Sequence, residues 1–578
     1  MASTRKRIVV TTVLAVATAV SLGWWLVQRN TARPAPAVAV RGGGLTASLR
    51  TPFTSYNRLV DPTAAGDLLA LLTQAPLVHV NRATDTLEPW LAESWTESDD
   101  GLTYTLKLRP GVMFSDGVPF TSSDALFSFQ VLYDPRTPQD PLASGIMVAG
   151  KPIRAEAPDA QTLVLRFPER FAPGLRLIDS LPMLPRHKLE AAFTSGTFAQ
   201  AWGSGASPQD LAGLGPFVVS QHAAGERLVL ARNPHYWRRD AAGVQLPYLD
   251  TLTIVTIPDQ NTEALRLEAG EIDLMSNGDI RPEDYAAFKR VSDQGRLRLI
   301  EAGIGLDPNL LWFNLATPRA PDARAPWLRS AALRQAISCA VDRTAIVNAV
   351  FLGAAVPIYG PITPGNQAWY TAPDAPCVHD LARAKELLAS AGLTDRDGDG
   401  MLEDAGGRPA QFSILSQKNH TIRERTASMI QEQLRAVGLK VDLVMLDPGG
   451  LLRRWTEHDY DAIYFGVQSS ATDPALNMQF WLSSGFLHFW NPSQPQPATD
   501  WERQVDDLMR RQAATTDTAE RRRLFSEAER VFAKELPAIY FVAPRTIIAV
   551  SARVGNPTPA PQIPQLLWSA DTLASTQR

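Results

Sequence analysis

Residues 87–129 read LEPWLAESWTESDDGLTYTLKLRPGVMFSDGVPFTSSDALFSF. Their middle alternates: Tyr104, Leu106 and Leu108 fall on one side, and Thr103, Thr105, Lys107 and Arg109 on the other. Successive side chains of a strand point to opposite faces, so 103–109 predicts a half-buried strand. Ser115-Asp116-Gly117 has turn composition. Thr121-Ser122-Ser123-Asp124 resembles a capping box with Asp in place of Glu, and it opens the apolar-rich helical stretch 125–133.

The same mixture extends outward. Leu163, Leu165 and Phe167 repeat the strand period, and 251–257 is a β-branched run ended by Pro258. Leu333, Ile337, Ala340 and Val341 share one helical face, as do Leu381, Ala384, Leu387, Leu388 and Ala391, with Gly392 as a stop. Met429, Ile430, Leu434 and Val437 mark a helix closed by Gly438, and the strand 440–446 follows at once. Helix, glycine and strand at that spacing predict an α/β fold. Leu524, Ala528, Val531 and Phe532 fit a last long helix.

The chain has 578 residues, 45% hydrophobic and 20% charged. At about 100–200 residues per domain this predicts three or more domains. The net charge is -4, with acids and bases mixed, so no basic tail marks a nucleic-acid partner. The two cysteines, Cys339 and Cys377, form no CxxC pair and have no His/Cys cluster, which argues against zinc. They either bridge, as thiols in an oxidising space tend to, or stay as two buried thiols.

Arg5, Lys6 and Arg7 precede an uncharged stretch, 8–28, long enough to span a bilayer at about 20 residues. It reads as an uncleaved membrane anchor. The alternative is a cleaved signal peptide, with Ala35-Pro36-Ala37 or Ala37-Val38-Ala39 as the small-residue site. Residues 31–44, TARPAPAVAVRGGG, read as a linker. Either way the body of the chain is extracytoplasmic.

No HExxH, GxSxG or Walker A sequence is present, so nothing points to an enzyme. Asp395, Asp397 and Asp399 lie in DRDGDG at the spacing of a calcium loop, and Gly400 permits the turn. The twelfth position is Gly406 where an EF-hand needs Glu. Calcium therefore stands against a plain polar turn.

The 87–129 stretch resembles the signature of the family 5 extracellular solute-binding proteins, the dipeptide and oligopeptide receptors of ABC importers. That pattern is P-x-L-A-x-S-W, D-G-x-x-Y-x-F-x-L-R and G-V-x-F-x-D-G-x-P-F-T-A-x-D-V. This chain departs from it at Leu106, Ser122 and Ala125. Further family landmarks follow in order. They are Gly213 to Phe217 (GLGPF), Arg232 to Trp237 (RNPHYW), Gly270 to Asp273 (GEID), and Leu333 to Ile337 with Ala340 to Arg343. Asp380 to Gly392 and Ile430-Gln431 to Val441 complete the series. The resemblance implies a two-lobed periplasmic-binding-protein-like fold of type II with an extra subdomain. Lobe I would comprise 45–85, 212–305 and 535–578, the subdomain 86–211, and lobe II 306–534. Hinge closure over a solute is the implied motion, and an ABC permease the implied partner. The rival readings are a membrane-tethered binder or sensor and a hydrolase on the same scaffold.

The resemblance also places a ligand site. The family's amine-binding aspartate stands three residues before an acidic-Pro step. Here Asp473-Pro474 is that step, so the position falls on uncharged Ser470, with Asp473 as the alternative anchor. The carboxylate-binding arginine position falls on Gln417, beside Lys418. Gly466 and Gln468 belong to the stretch that holds Ser470 and Asp473. Tyr56, Tyr359, Trp481 and Trp490, with Phe465 and Phe486, are the aromatic candidates for a partly apolar cleft. Longer peptides, or another solute, are expected rather than free dipeptides, because both charged anchors are replaced.

Overall fold

The computed structural model describes residues 41–61, 63–137, 142, 145–317, 320–466 and 472–576. The apolar stretch 8–28, most of the 31–44 linker, Gln468 and Ser470 lie outside them. Among the described residues no helix is long and apolar enough to cross a membrane.

Three main sheets organise the described residues. The large one is eight-stranded. At its centre Gly44–Leu49 runs parallel to Thr251–Thr256 on one side and to Leu274–Asp279 on the other. Phe217–Ala223 and Arg227–Arg232 extend one edge, while Val542–Ser551 and Leu297–Ile304 extend the other, all antiparallel.

A five-stranded sheet has the order Lys440–Leu446, Gln411–Gln417, Ala462–Phe465, Leu310–Phe313, Ala538–Tyr540. Its first three strands are mutually parallel and the last two pairings are antiparallel. Leu310–Phe313 shows why a central strand is a continuous apolar run. Leu311 and Phe313 face one core, with the helices Ala331–Ala340, Leu381–Ser390 and Thr421–Arg435. Leu310 and Trp312 face the other, with Asp500–Ala514 and Thr518–Glu535. Both faces of this strand are buried, so neither alternate position can be polar.

The third sheet is four-stranded and antiparallel and comes wholly from residues 92–166: Ala92–Glu97, Thr103–Leu108, Thr162–Arg166 and Arg154–Asp159. The strand read from its alternation forms as Thr103–Leu108. The capping box forms too: the Thr121 N–H donates to the Asp124 carboxylate at 2.9 Å, opening helix Ser122–Tyr133.

The chain passes between the two larger sheets near its end. Ala538–Tyr540 pairs in the five-stranded sheet, and after buried Phe541 the chain enters the large sheet as Val542–Ser551. The tail expected in lobe I from 535 thus begins inside the second sheet. Strand Val542–Ser551 itself pairs with Ala355–Pro357 at its start and with Leu297–Ile304 further on. Cys339 and Cys377 are bridged, with Cα atoms 5.0 Å apart, which decides between the two alternatives left by the sequence.

Candidate functional site

Strands Gln411–Gln417 and Ala462–Phe465 run parallel and end side by side. The helix Thr421–Arg435 starts just beyond the first of them. The carboxyl ends of parallel strands leave a crevice where the chain turns back into helices, which makes this edge the natural ligand site of an α/β sheet.

Arg423 fills that corner. Its Nε donates to Asn309 Oδ1 at 2.9 Å, Nη2 donates to the Gly466 carbonyl at 3.1 Å, and Nη1 donates to Gln417 Oε1. Its guanidinium lies 4.1 Å from the Phe465 ring centre. All three acceptors are neutral. Among the described residues no carboxylate pairs with it, and burial pulls its pKa down to about 10. His420, the N-cap of the helix, accepts from the Arg423 backbone N–H at 3.4 Å. Burial first, then the Arg423 charge, push His420 down to about 4, so it is neutral at neutral pH. The site is a single half-buried positive charge oriented by neutral dipoles.

Gly466 has a steric reason to be glycine. A Cβ there would meet Asn309 Oδ1 at 2.5 Å and Arg423 Nη2 at 3.3 Å, displacing the groups that orient the guanidinium. Gln417 and Gly466 are therefore brought together, through Arg423. Gln417 holds a cation in place instead of being an uncharged substitute for one.

The other candidates are placed elsewhere. Asp473 caps the short helix Pro474–Asn477 and is gripped by Arg521, so its carboxylate is occupied. Lys418 turns to Asp447 on the surface, 3.8 Å away, and does not replace the missing charge. Trp481 and Trp490, 2% and 1% exposed, are core residues packed among Phe480, Phe525 and Phe532. Large aromatics are the most effective fillers of a core this wide, which is why the expectation of cleft lining fails for them. Phe486 is exposed, with its ring edge-on to Trp455. Tyr56 is buried against His222, its hydroxyl 2.7 Å from Nδ1. Tyr359 stacks on the Arg343 guanidinium at 4.2 Å. Neither tyrosine shares a hydrogen bond or ring contact with the Arg423 cluster among the described residues.

Arg423 itself was missed by the reading of the sequence. One signal was available. A cation in the first turn of a helix faces the positive end of the macrodipole, an unfavourable place that calls for a compensating anion.

In the acidic loop, Asp395, Asp397 and Glu403 each bring a carboxylate oxygen within 4.8 Å of the others. Asp399 is not part of the group; like Asp395 and Asp397 it accepts from a backbone N–H of the loop, that of Met401. Three carboxylates fall short of the six to eight oxygens calcium takes, unless carbonyls or water complete the shell.

The profile of the bacterial extracellular solute-binding proteins, family 5 (Middle), matches residues 86–487. The chain belongs to this family. A probable ABC transporter-binding protein of Deinococcus radiodurans is 25% identical to this solute-binding protein over 561 residues, 92% of each chain. Heme-binding protein A of Haemophilus influenzae is 26% identical over 485 residues, 80% of each chain. The oligopeptide-binding protein AppA of Bacillus subtilis, solved in complex with a nonapeptide, has the same fold. Its TM-score is 0.71 at 23% identity, over 93% of this chain and 100% of that one. The fold is thus the two-lobed α/β fold of periplasmic binding proteins. The function is the family's: capture of a solute outside the cytoplasm for an ABC importer.

Proposed function

We propose that this solute-binding protein takes peptides, or peptide-like acids, by seating a ligand carboxylate on Arg423. The observation that carries this is the guanidinium at the carboxyl edge of the second sheet, held by Asn309, Gln417 and Gly466 with no acidic partner among the described residues. A carboxylate arriving there gains a charge-assisted pair in a partly desolvated place. Asp473 is committed to Arg521, so it is not available to an α-ammonium. The lobes are expected to close about their connecting strands by a hinge motion, without chemistry on the ligand. Residues 8–28 would tether the protein to the membrane, near its permease.

Calorimetry with tripeptides tests the reading. Amidating the ligand's C-terminus should weaken binding to the wild type by at least about tenfold. Acetylating its N-terminus should change little. Arg423→Gln should bind the free acid and the amide alike. An amide that binds the wild type as tightly as the acid would refute it.

A divalent cation at the acidic loop is a separate reading, favoured by the convergence of Asp395, Asp397 and Glu403. Calcium should then raise the melting temperature of the wild type but not of Asp395→Asn/Asp397→Asn.

A further inference from the structure

A cavity of about 440 Å³ opens where helices Ala331–Ala340, Leu381–Ser390 and Thr518–Glu535 meet the segment 359–377. That is the volume of a site for a small organic molecule. None of the residues of the Arg423 cluster lines it.

Its walls are preformed. The Cys339–Cys377 bridge ties the end of the segment to helix Ala331–Ala340. At the other end Tyr359 lies on Arg343, whose guanidinium is buried and donates to the carbonyls of Ser338, Ile358 and Tyr540. Pro361, Ile362, Tyr370 and Pro376 add apolar and aromatic surface.

One carboxyl group in these walls is partly withdrawn from solvent. Glu529, on helix Thr518–Glu535, is half-buried and has neither a hydrogen-bond donor nor a basic partner among the described residues. The other charged groups that line the space are Asp374, Arg383, Arg530 and Lys534. All four are exposed, and Arg383 already pairs with Glu386 at 2.9 Å. Solvent screens such rim charges, whereas a desolvated carboxyl without a donor is unfavourable until one arrives.

The geometry points to a second binding site for a small organic amine, its ammonium paired with Glu529 and its apolar or aromatic body against the proline and tyrosine wall. An ammonium supplies the three donors and the charge that Glu529 lacks, in a place where such a pair is stronger than in water. The assignment does not depend on the peptide reading, because the two sites share no residue.

Burial alone pushes the Glu529 carboxyl up to about 8, which gives the site a pH signature. An amine that needs the carboxylate binds weakly while Glu529 is protonated and tightens as it ionises. Phenethylamine and its uncharged counterpart 2-phenylethanol are suitable probes, titrated into the full chain by calorimetry. Phenethylamine should bind at least about tenfold more tightly than the alcohol, and should tighten roughly tenfold or more between about pH 6 and about pH 8. Glu529→Gln should remove both the preference and the pH dependence, and Arg423→Gln should leave both intact. The wild-type pH profile decides the matter even if the Glu529 variant folds poorly. Equal binding of amine and alcohol, a flat profile, or no heat from millimolar phenethylamine would each overturn the assignment.

Discussion

Arg521 meets the two carboxylate oxygens of Asp473 at 2.7 and 2.9 Å, and each side chain is only 8% exposed. The Trp369 ring lies 4.9 Å from the same guanidinium, and Arg521 Nε also donates to the Gln512 carbonyl. The pair pins the start of the Pro474–Asn477 turn to the last long helix. Removing one partner strands the other charge in a desolvated place. Asp473→Ala is therefore expected to lower unfolding stability by about 3–5 kcal/mol, whereas Asp473→Leu/Arg521→Met should lose much less. Denaturant midpoints measure both. A wild-type midpoint for Asp473→Ala would show that the pair does not hold the turn.

Trp481 is placed in the core, with ring centres of Phe480, Phe525 and Phe532 at 5.1, 5.3 and 5.7 Å. Trp481→Ala should cost about 3–5 kcal/mol through the cavity it leaves. Ligand affinity of the folded fraction should stay as in the wild type. A variant of normal stability with lost affinity would return Trp481 to the cleft.

The Cys339–Cys377 bridge closes a loop with a sequence separation of 38. Constraining the unfolded chain over such a loop is worth about 2–4 kcal/mol. Reductant should therefore lower the denaturant midpoint of the wild type and leave that of Cys339→Ala/Cys377→Ala unchanged. A reductant effect of equal size in both would place its origin elsewhere.

Glu529 also makes stability depend on pH. Its folded-state value, about 8, stands above the ordinary 4.5, so the folded chain holds this proton where the unfolded chain has released it. Stability should then fall as pH rises through that interval and level off above it. Glu529→Gln cannot ionise and should lose this part of the slope. Melting curves across the interval compare the two proteins. Parallel curves would mean that the carboxyl titrates normally.

Much of the fold was legible because its causes are local. The alternation at 103–109, the Thr121 and Asp124 cap, and the glycine stop before strand Lys440–Leu446 each depend on neighbours a few residues away. The structure forms all three. The candidate site was legible only in part. Gln417 and Gly466 were singled out separately, one for each end of a ligand; that both meet Arg423 is a tertiary contact. Arg423 acquires its setting from Asn309, which is 114 residues distant in sequence. The aromatic residues were the least legible, since Trp481 in a core and a tryptophan in a cleft are the same letter in the same apolar context.

By itself the sequence determined the α/β elements, the order of the family motifs and hence the membership in the solute-binding family. The elements follow from backbone hydrogen bonding and side-chain periodicity, which act over one or two turns, whereas the membership rests on the resemblance of the motifs. Only the tertiary structure decided which charges are spent and which are free. Asp473 is neutralised by a residue 48 positions away, whereas Arg423 and Glu529 are brought into partial burial without a counter-charge among the described residues. Charge pairing and desolvation depend on distances through space, and no local pattern encodes them.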